Sequence, residues 1–131
     1  MSIRYLTVPQ VLAVHHEIMV DEGQEAILMA PDKLESAVLR TEAEAFGEDF
    51  FPSLAEKAAV LLQGIVIAHA FLDGNKRAGL GAMLMFLRSN GIRQAPNLDN
   101  LYDFVIAVTT GELREIADIT ARLRELFPEL A

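Results

Sequence analysis

Two apolar helical segments joined by a short polar break dominate this chain of 131 residues. The first runs from Ser53 to Leu72 and carries apolar side chains on nearly all of its faces, and the second runs from about Asn75 to Ser89. A helix that is apolar nearly all round lies in the interior of a protein, where other helices cover it. The two segments therefore predict an all-α fold built around the segment 53–72.

The rest of the chain supplies the covering helices. Apolar residues recur at helical spacing in four more segments, and no stretch alternates with period two for long. Asp32–Glu35 has the form of a capping box and opens one of these segments. The four helices are expected at about residues 8–21, from Asp32, at 98–109 and at 113–127. The prediction is a bundle of about six helices forming a single domain over residues 1–131.

Composition narrows the functional classes. The chain has no cysteine and no apolar run of the roughly 18 to 20 residues that a membrane span requires, and its first residues lack the pattern of a signal peptide. The formal net charge of −8 argues against a general nucleic-acid binder, which needs a basic face. We therefore expect a cytoplasmic protein with no direct nucleic-acid partner and no membrane partner.

The polar break, His69–Arg77, has the features of an anion site. Its Asp-Gly-Asn sequence at 73–75 is typical of a turn. A helix that begins near Asn75 presents unpaired N–H groups and the positive end of its dipole, and Lys76 and Arg77 add two cations there. The combination predicts a cradle for an anion such as a phosphate group.

Two further side chains of the break suggest chemistry on that phosphate. His69 is a candidate general base, because histidine titrates near neutral pH. Asp73 offers an oxygen ligand of the kind that Mg²⁺ takes beside phosphates. Simpler interpretations stay open: a hydrogen-bonded core role for His69, a helix cap for Asp73, and a turn for Asn75.

The same residues carry a family resemblance. The pattern His-x-Phe-x-Asp-Gly-Asn-Lys-Arg at 69–77 resembles the signature of the Fic/Doc superfamily, and its lysine resembles the Doc (death-on-curing) toxin branch. Tyr5–Thr7 with Val11–His15 resembles the opening helix of that family, and Glu56–Ala59 resembles the lead-in to its motif helix. The resemblance implies a Fic/Doc-like helical bundle.

It also implies a function and residue roles. A Doc toxin is one half of a toxin-antitoxin system and transfers the γ-phosphate of ATP to a hydroxyl of a translation factor, for which elongation factor Tu is the expected target. By resemblance His69 is the catalytic base, Asp73 binds Mg²⁺, and Phe71 packs the loop. The residues that hold the nucleotide phosphates are then Gly74, Asn75, Lys76 and Arg77.

Two alternatives stay open. Fic adenylyltransferases, which transfer AMP, usually have glycine after the asparagine and a second arginine three residues beyond the first, whereas this chain has Lys76 and Leu80. A lysine obstructs the approach of a phosphate to the backbone, which disfavours AMP transfer. The other alternative is a binding module that has lost catalysis.

The resemblance also bears on control. The self-inhibitory helix of many Fic proteins has the pattern Ser/Thr-x-x-x-Glu-Gly/Asn. Glu22-Gly23 comes nearest to it here, but Ile18 occupies the hydroxyl position. We therefore expect a separate antitoxin that adds a helical segment to the bundle. The resemblance further predicts a target-guiding flap near Ala43–Phe51, while His15 is interpreted as a packed, hydrogen-bonded residue.

Overall fold

Within residues 2–131 the fold has six α-helices and one very small hairpin. The structure is a computed structural model and describes residues 2–131. The helices are α1 (Val8–Asp21), α2 (Pro31–Leu39), α3 (Leu54–Ala68), α4 (Asn75–Ser89), α5 (Leu98–Thr110) and α6 (Ile116–Leu126). The hairpin pairs β1 (Glu44–Ala45) with β2 (Glu48–Asp49), and 3₁₀ turns occupy Arg40–Glu42 and Pro128–Leu130. The predicted all-α bundle is confirmed.

Helix α3 is the centre of the bundle, as its sequence predicts. It packs against α2, α4, α5 and α6, and most of its side chains are buried. Because the helix offers apolar groups in every direction, each neighbour covers a different face. The core is therefore formed mainly by side chains of α3 and of the helices packed around it.

Two glycines on α4 let the helices approach closely. A Cβ atom at Gly79 would lie 2.7 Å from Cγ1 of Val66 on α3, and one at Gly81 would lie 2.8 Å from Cγ1 of Val14 on α1. Both distances are shorter than side chains tolerate, so any larger residue would push the helices apart. The contact of Gly79 with Val66 holds the first part of α4 close to the end of α3.

Several predicted ends are confirmed. Helix α1 has the predicted bounds, with Thr7 accepting from the Gln10 N–H and the Gln10 side chain accepting in return. Helix α4 also has the predicted bounds, and Gly91 follows it with φ 89°. Helix α5 begins after Asn97, whose side chain accepts from the first-turn N–H groups.

Three predicted boundaries are wrong. Helix α3 ends at Ala68 rather than Leu72, because the chain turns left-handed at the next residue. Helix α2 begins at Pro31 without a side-chain cap, so Asp32 lies inside its first turn and does not cap it. Helix α6 begins at Ile116, three residues after the expected start at Leu113.

No helix in the described part of the chain combines the length and the apolar character needed to cross a membrane.

Candidate active site

The turn that ends α3 exposes a histidine. His69 is the C-cap residue, with φ 48° and ψ 42° in the left-handed region. A non-glycine residue in this region is uncommon, and such strained residues cluster at functional sites. The imidazole is exposed, and no hydrogen bond joins it to another residue within 2–131. Its nitrogens are therefore free to take or give a proton.

A short backbone ladder holds the segment after the histidine. The N–H groups of Met29 and Ala30 donate to the Ala70 carbonyl at 2.7 Å and 3.0 Å, and the Leu72 N–H donates to the Ile27 carbonyl at 3.0 Å. These bonds satisfy backbone groups that a longer α3 would have satisfied itself. The ladder explains why α3 stops early.

Buried side chains pack against the loop that joins α3 to α4 and bond to its backbone. Phe71 is buried and stacks on the buried His15, with ring centroids 3.6 Å apart. Nε2 of His15 lies 2.7 Å from the Asp73 carbonyl oxygen. The Asn75 side chain both donates to the Phe71 carbonyl and accepts from the Phe71 N–H. The packing role predicted for Phe71 and the hydrogen-bonded interpretation of His15 are confirmed.

The first turn of α4 leaves backbone donors free. The Gly74 N–H donates to Oδ1 of Asp73 at 2.7 Å, and the Ala78 N–H donates to the Gly74 carbonyl. Among the residues that the structure describes, no acceptor reaches the N–H groups of positions 75–77, and the first turn holds no acidic residue. Three unpaired donors at the positive end of a 15-residue helix favour an anion there.

One hollow of about 240 Å³ joins these groups. It is lined by the six residues predicted for the site, and by Val66, Leu72, Tyr102 and Thr109. The six lie together as the sequence pattern requires: His69, Asp73, Gly74, Asn75, Lys76 and Arg77. The side chain of Asn75 is occupied by the loop, so its free contribution to the hollow is its backbone N–H.

Two residues of the site were not predicted from the sequence. Tyr102 and Thr109 reach the hollow from α5, far from the motif in the chain. No local pattern marks them, since both lie outside the apolar stripe that identifies α5 as a helix. Only the packing of α5 on the bundle brings them to the motif.

A carboxylate from α1 contacts the anion cradle. Glu22, the C-cap residue of α1, forms an ion pair with the Arg77 guanidinium, and both side chains are about two-fifths exposed. The sequence singled out Glu22 only as an incomplete match to an inhibitory pattern. The contact shows that its carboxylate reaches the site even though Ile18 is not a hydroxyl residue.

The residues around Asp73 suit a single Mg²⁺ ion that takes most of its oxygen ligands from phosphate and water. No group of three or more His, Asp or Glu side chains within residues 2–131 forms a metal cluster. Asp73 lines the hollow, and one of its carboxylate oxygens bonds to the Gly74 N–H while the other has no such bond. Mg²⁺ commonly uses one or two carboxylates together with phosphate oxygens and water, so one free carboxylate oxygen beside the unpaired N–H groups of α4 fits it.

Comparisons with known proteins agree with this geometry. The model of the Fic/DOC family matches residues 5–87, which include α1, α2, α3 and the motif. This chain belongs to the Fic/DOC family. Helices α5 and α6 lie beyond the matched residues of that family model.

Two relatives of this Fic/DOC protein carry Doc names. A protein named Toxin Doc from Mycolicibacterium smegmatis is 44% identical over 66 residues, which cover 50% of this chain and 51% of that protein. The chain thus matches about half the length of that relative. A protein named Protein kinase doc from Escherichia phage P1 is 28% identical over 124 residues, covering 95% of this chain and 96% of that one.

The Glu22–Arg77 pair predicts a measurable competition in this Fic/DOC protein. A phosphate that binds the N–H group of Arg77 now paired with Glu22 would displace the Glu22 carboxylate, and an exposed ion pair contributes about 0.2–1 kcal/mol. Glu22→Gln is therefore expected to raise nucleotide affinity by roughly 1.5- to 5-fold, measured by calorimetry. Glu25→Gln removes an equivalent exposed carboxylate nearby and is expected to have no effect. Equal affinities of Glu22→Gln and the unmodified protein would show that the pair does not compete.

Proposed function

We propose that this chain is the toxin of a toxin-antitoxin system and a protein kinase, transferring the γ-phosphate of ATP to a hydroxyl of a translation factor. The observation that carries the proposal is the hollow in which an unpaired imidazole, three free helix N–H groups and two cations meet. The names of the two relatives, Toxin Doc and Protein kinase doc, support both halves of the proposal. Elongation factor Tu is the translation factor we expect, on the motif's likeness to Doc toxins.

The reaction assigns each side chain one task. The target hydroxyl oxygen forms a bond to the γ-phosphorus, the bond from that phosphorus to the bridging oxygen breaks, and ADP leaves with the electron pair. His69 takes the hydroxyl proton, since its ring has no competing partner. The N–H groups of 75–77, Lys76 and Arg77 stabilise the negative charge on the phosphate oxygens. Mg²⁺ would neutralise further charge, held by Asp73.

Lys76 favours phosphate over AMP transfer. The side chain is exposed at the first turn of α4 and lines the hollow, so it adds positive charge beside the free N–H groups. It also occupies space in which a glycine would leave the backbone open to a phosphate group. A nucleotide oriented with its γ-phosphate toward His69 makes use of that charge, and the hydroxyl then attacks the γ-phosphorus.

Growth of a bacterial host tests the toxin assignment. Expression of the chain alone in a susceptible bacterium is expected to arrest growth, because modification of a translation factor stops protein synthesis. Co-expression of the cognate antitoxin, which we propose adds a helical segment to the bundle, is expected to restore growth. A folded chain that leaves growth unchanged would contradict the proposal, and a chain that binds its partner without transferring phosphate would favour the binding module.

A further inference from the structure

The carbonyl of Asp73 lies one residue before the first acceptor of α4. In an α-helix each N–H donates to the carbonyl four residues earlier, so a helix longer by one residue would pair the Arg77 N–H with Asp73. The Ala78 N–H does donate to the Gly74 carbonyl at 2.8 Å, but within residues 2–131 no backbone N–H donates to the Asp73 carbonyl. The helical pattern therefore stops at Gly74, and the N–H of Arg77 stays free.

A buried histidine of α1 bonds to the Asp73 carbonyl instead. His15 is 1% exposed, and its Nε2 lies 2.7 Å from the Asp73 carbonyl oxygen. Because a carbonyl oxygen can only accept, Nε2 carries the proton and donates. One face of the same ring stacks on Phe71. The ring thus makes one packing contact and one hydrogen bond, and different substitutions remove each of them separately.

The turn that follows Asp73 packs closely on α1. Gly74 has φ 82°, and a Cβ atom there would lie 2.9 Å from Sδ of Met19 and 3.3 Å from Nε2 of His15. Glycine suits the position both by its left-handed backbone and by its lack of a side chain. The peptide between Asp73 and Gly74 is therefore held against α1, with its carbonyl bonded to His15 rather than to the first turn of α4.

We propose that His15 is a positioning residue for the phosphate site: its hydrogen bond holds the Asp73 carbonyl and so keeps the Arg77 N–H available to the anion. The inference rests on the proposed function, since it needs a phosphate chain at the start of α4. Without the Nε2 donor, the Arg77 N–H can satisfy the Asp73 carbonyl by one further helical hydrogen bond. That bond removes one of the three free donors at positions 75–77.

Two substitutions of His15 separate its hydrogen bond from its packing. Calorimetry measures the binding of inorganic triphosphate, and urea unfolding measures stability. His15→Phe keeps a stacked ring but loses the donor, and it is expected to weaken triphosphate binding roughly 10- to 100-fold, the value of one hydrogen bond to a charged group. His15→Gln loses the ring but places an amide N–H near the position of Nε2. It is expected to be less stable than the unmodified protein and to bind triphosphate equally well.

Met19→Leu is the matched control. It changes buried packing beside Gly74 and leaves the hydrogen bond of His15 in place, so triphosphate affinity is expected to stay unchanged. A folded His15→Phe protein with the affinity of the unmodified protein would overturn the positioning role and leave the proposed function intact. If His15→Phe does not fold, His15→Gln decides alone, since unchanged affinity supports the role and lost affinity overturns it.

Two further outcomes concern the proposed function itself. If the unmodified protein binds neither triphosphate nor ATP, the proposed function and the positioning role fail together. If it binds both with the predicted dependence on the His15 donor but transfers no phosphate to any protein of a bacterial extract, the positioning role stands and the kinase assignment fails.

Discussion

His69→Ala is expected to lower the rate of phosphate transfer by about 10²- to 10⁴-fold, the usual contribution of a positioned general base. The rate is measured as phosphate incorporated into the target per unit time, at saturating ATP. The loss should fall on the transfer step and not on nucleotide affinity, because the cradle lies on α4 and does not include the imidazole. Growth arrest should disappear together with the transfer.

Two controls separate catalysis from folding in that experiment. The left-handed conformation of His69 strains any residue with a Cβ atom, but asparagine tolerates it well. His69→Asn should therefore fold like the unmodified protein and still lose the activity. His16→Ala removes another exposed histidine and should remain active. An active and toxic His69→Asn protein would remove His69 from the chemistry.

Asp49→Asn is expected to lower the free energy of unfolding by about 1–3 kcal/mol, because it leaves a buried lysine without its partly exposed anion. The Lys57 side chain is only 1% exposed, and its Nζ lies 3.1 Å from Oδ2 of Asp49 on β2. The same ammonium lies over the Tyr5 ring, 5.3 Å from its centroid. The ion pair of Lys57 with Asp49 connects the hairpin to α3, and urea unfolding measures its contribution to stability. Glu48→Gln, a neighbouring exposed change, is the control.

The double variant Asp49→Asn with Lys57→Met tests the cause of that loss. It removes both charges, so the stability lost in Asp49→Asn should be largely recovered. Burial lowers the pKa of Lys57, but its contacts with Tyr5 and Asp49 outweigh burial and raise the pKa above its ordinary value of 10.5. The stabilisation is therefore present below that value and lost as the pH rises through the raised pKa. A double variant no more stable than Asp49→Asn would contradict this account.

The sequence predicts helices best where local chemistry determines their ends. The capping box at Thr7–Gln10 marks the observed start of α1, and the Asn-Gly pair at 90–91 marks the observed end of α4. The end of α3 was predicted wrongly because Ala70, Phe71 and Leu72 continue its apolar pattern. Those residues instead pair with the segment 27–30, and a contact between distant parts of the chain leaves no local signal.

The hairpin at 44–49 is a second element that the local sequence pattern does not predict. The resemblance predicts a flap near Ala43–Phe51, while the residues themselves indicate only a break in helical structure around Gly47. Two residues a strand are too few to produce a period-two pattern, and the ion pair to Lys57 that holds the hairpin comes from α3. That the hairpin guides a target segment stays a prediction.

The candidate site also has one part that the sequence predicts and another that only the fold reveals. Its six motif residues lie within nine positions of the chain, so their proximity is predictable from the sequence, although contacts with residues 27–30 and with His15 hold the loop that carries them. Glu22 and Tyr102 come from α1 and α5, and only the packing of those helices places them at the hollow. Neither residue type is unusual on an exposed helix, so the sequence offers no reason to select them.

Transfer of label from ATP tests the kinase assignment most directly. The unmodified protein and its Lys76→Gly variant are incubated with bacterial extract and with ATP labelled at either the α or the γ phosphate. If the γ-phosphate faces His69, γ label is expected in the target protein and α label is not, and Lys76→Gly should reduce the γ transfer because it removes a stabilising charge. Transfer of α label without γ label by the unmodified protein would contradict the kinase assignment and establish AMP transfer instead.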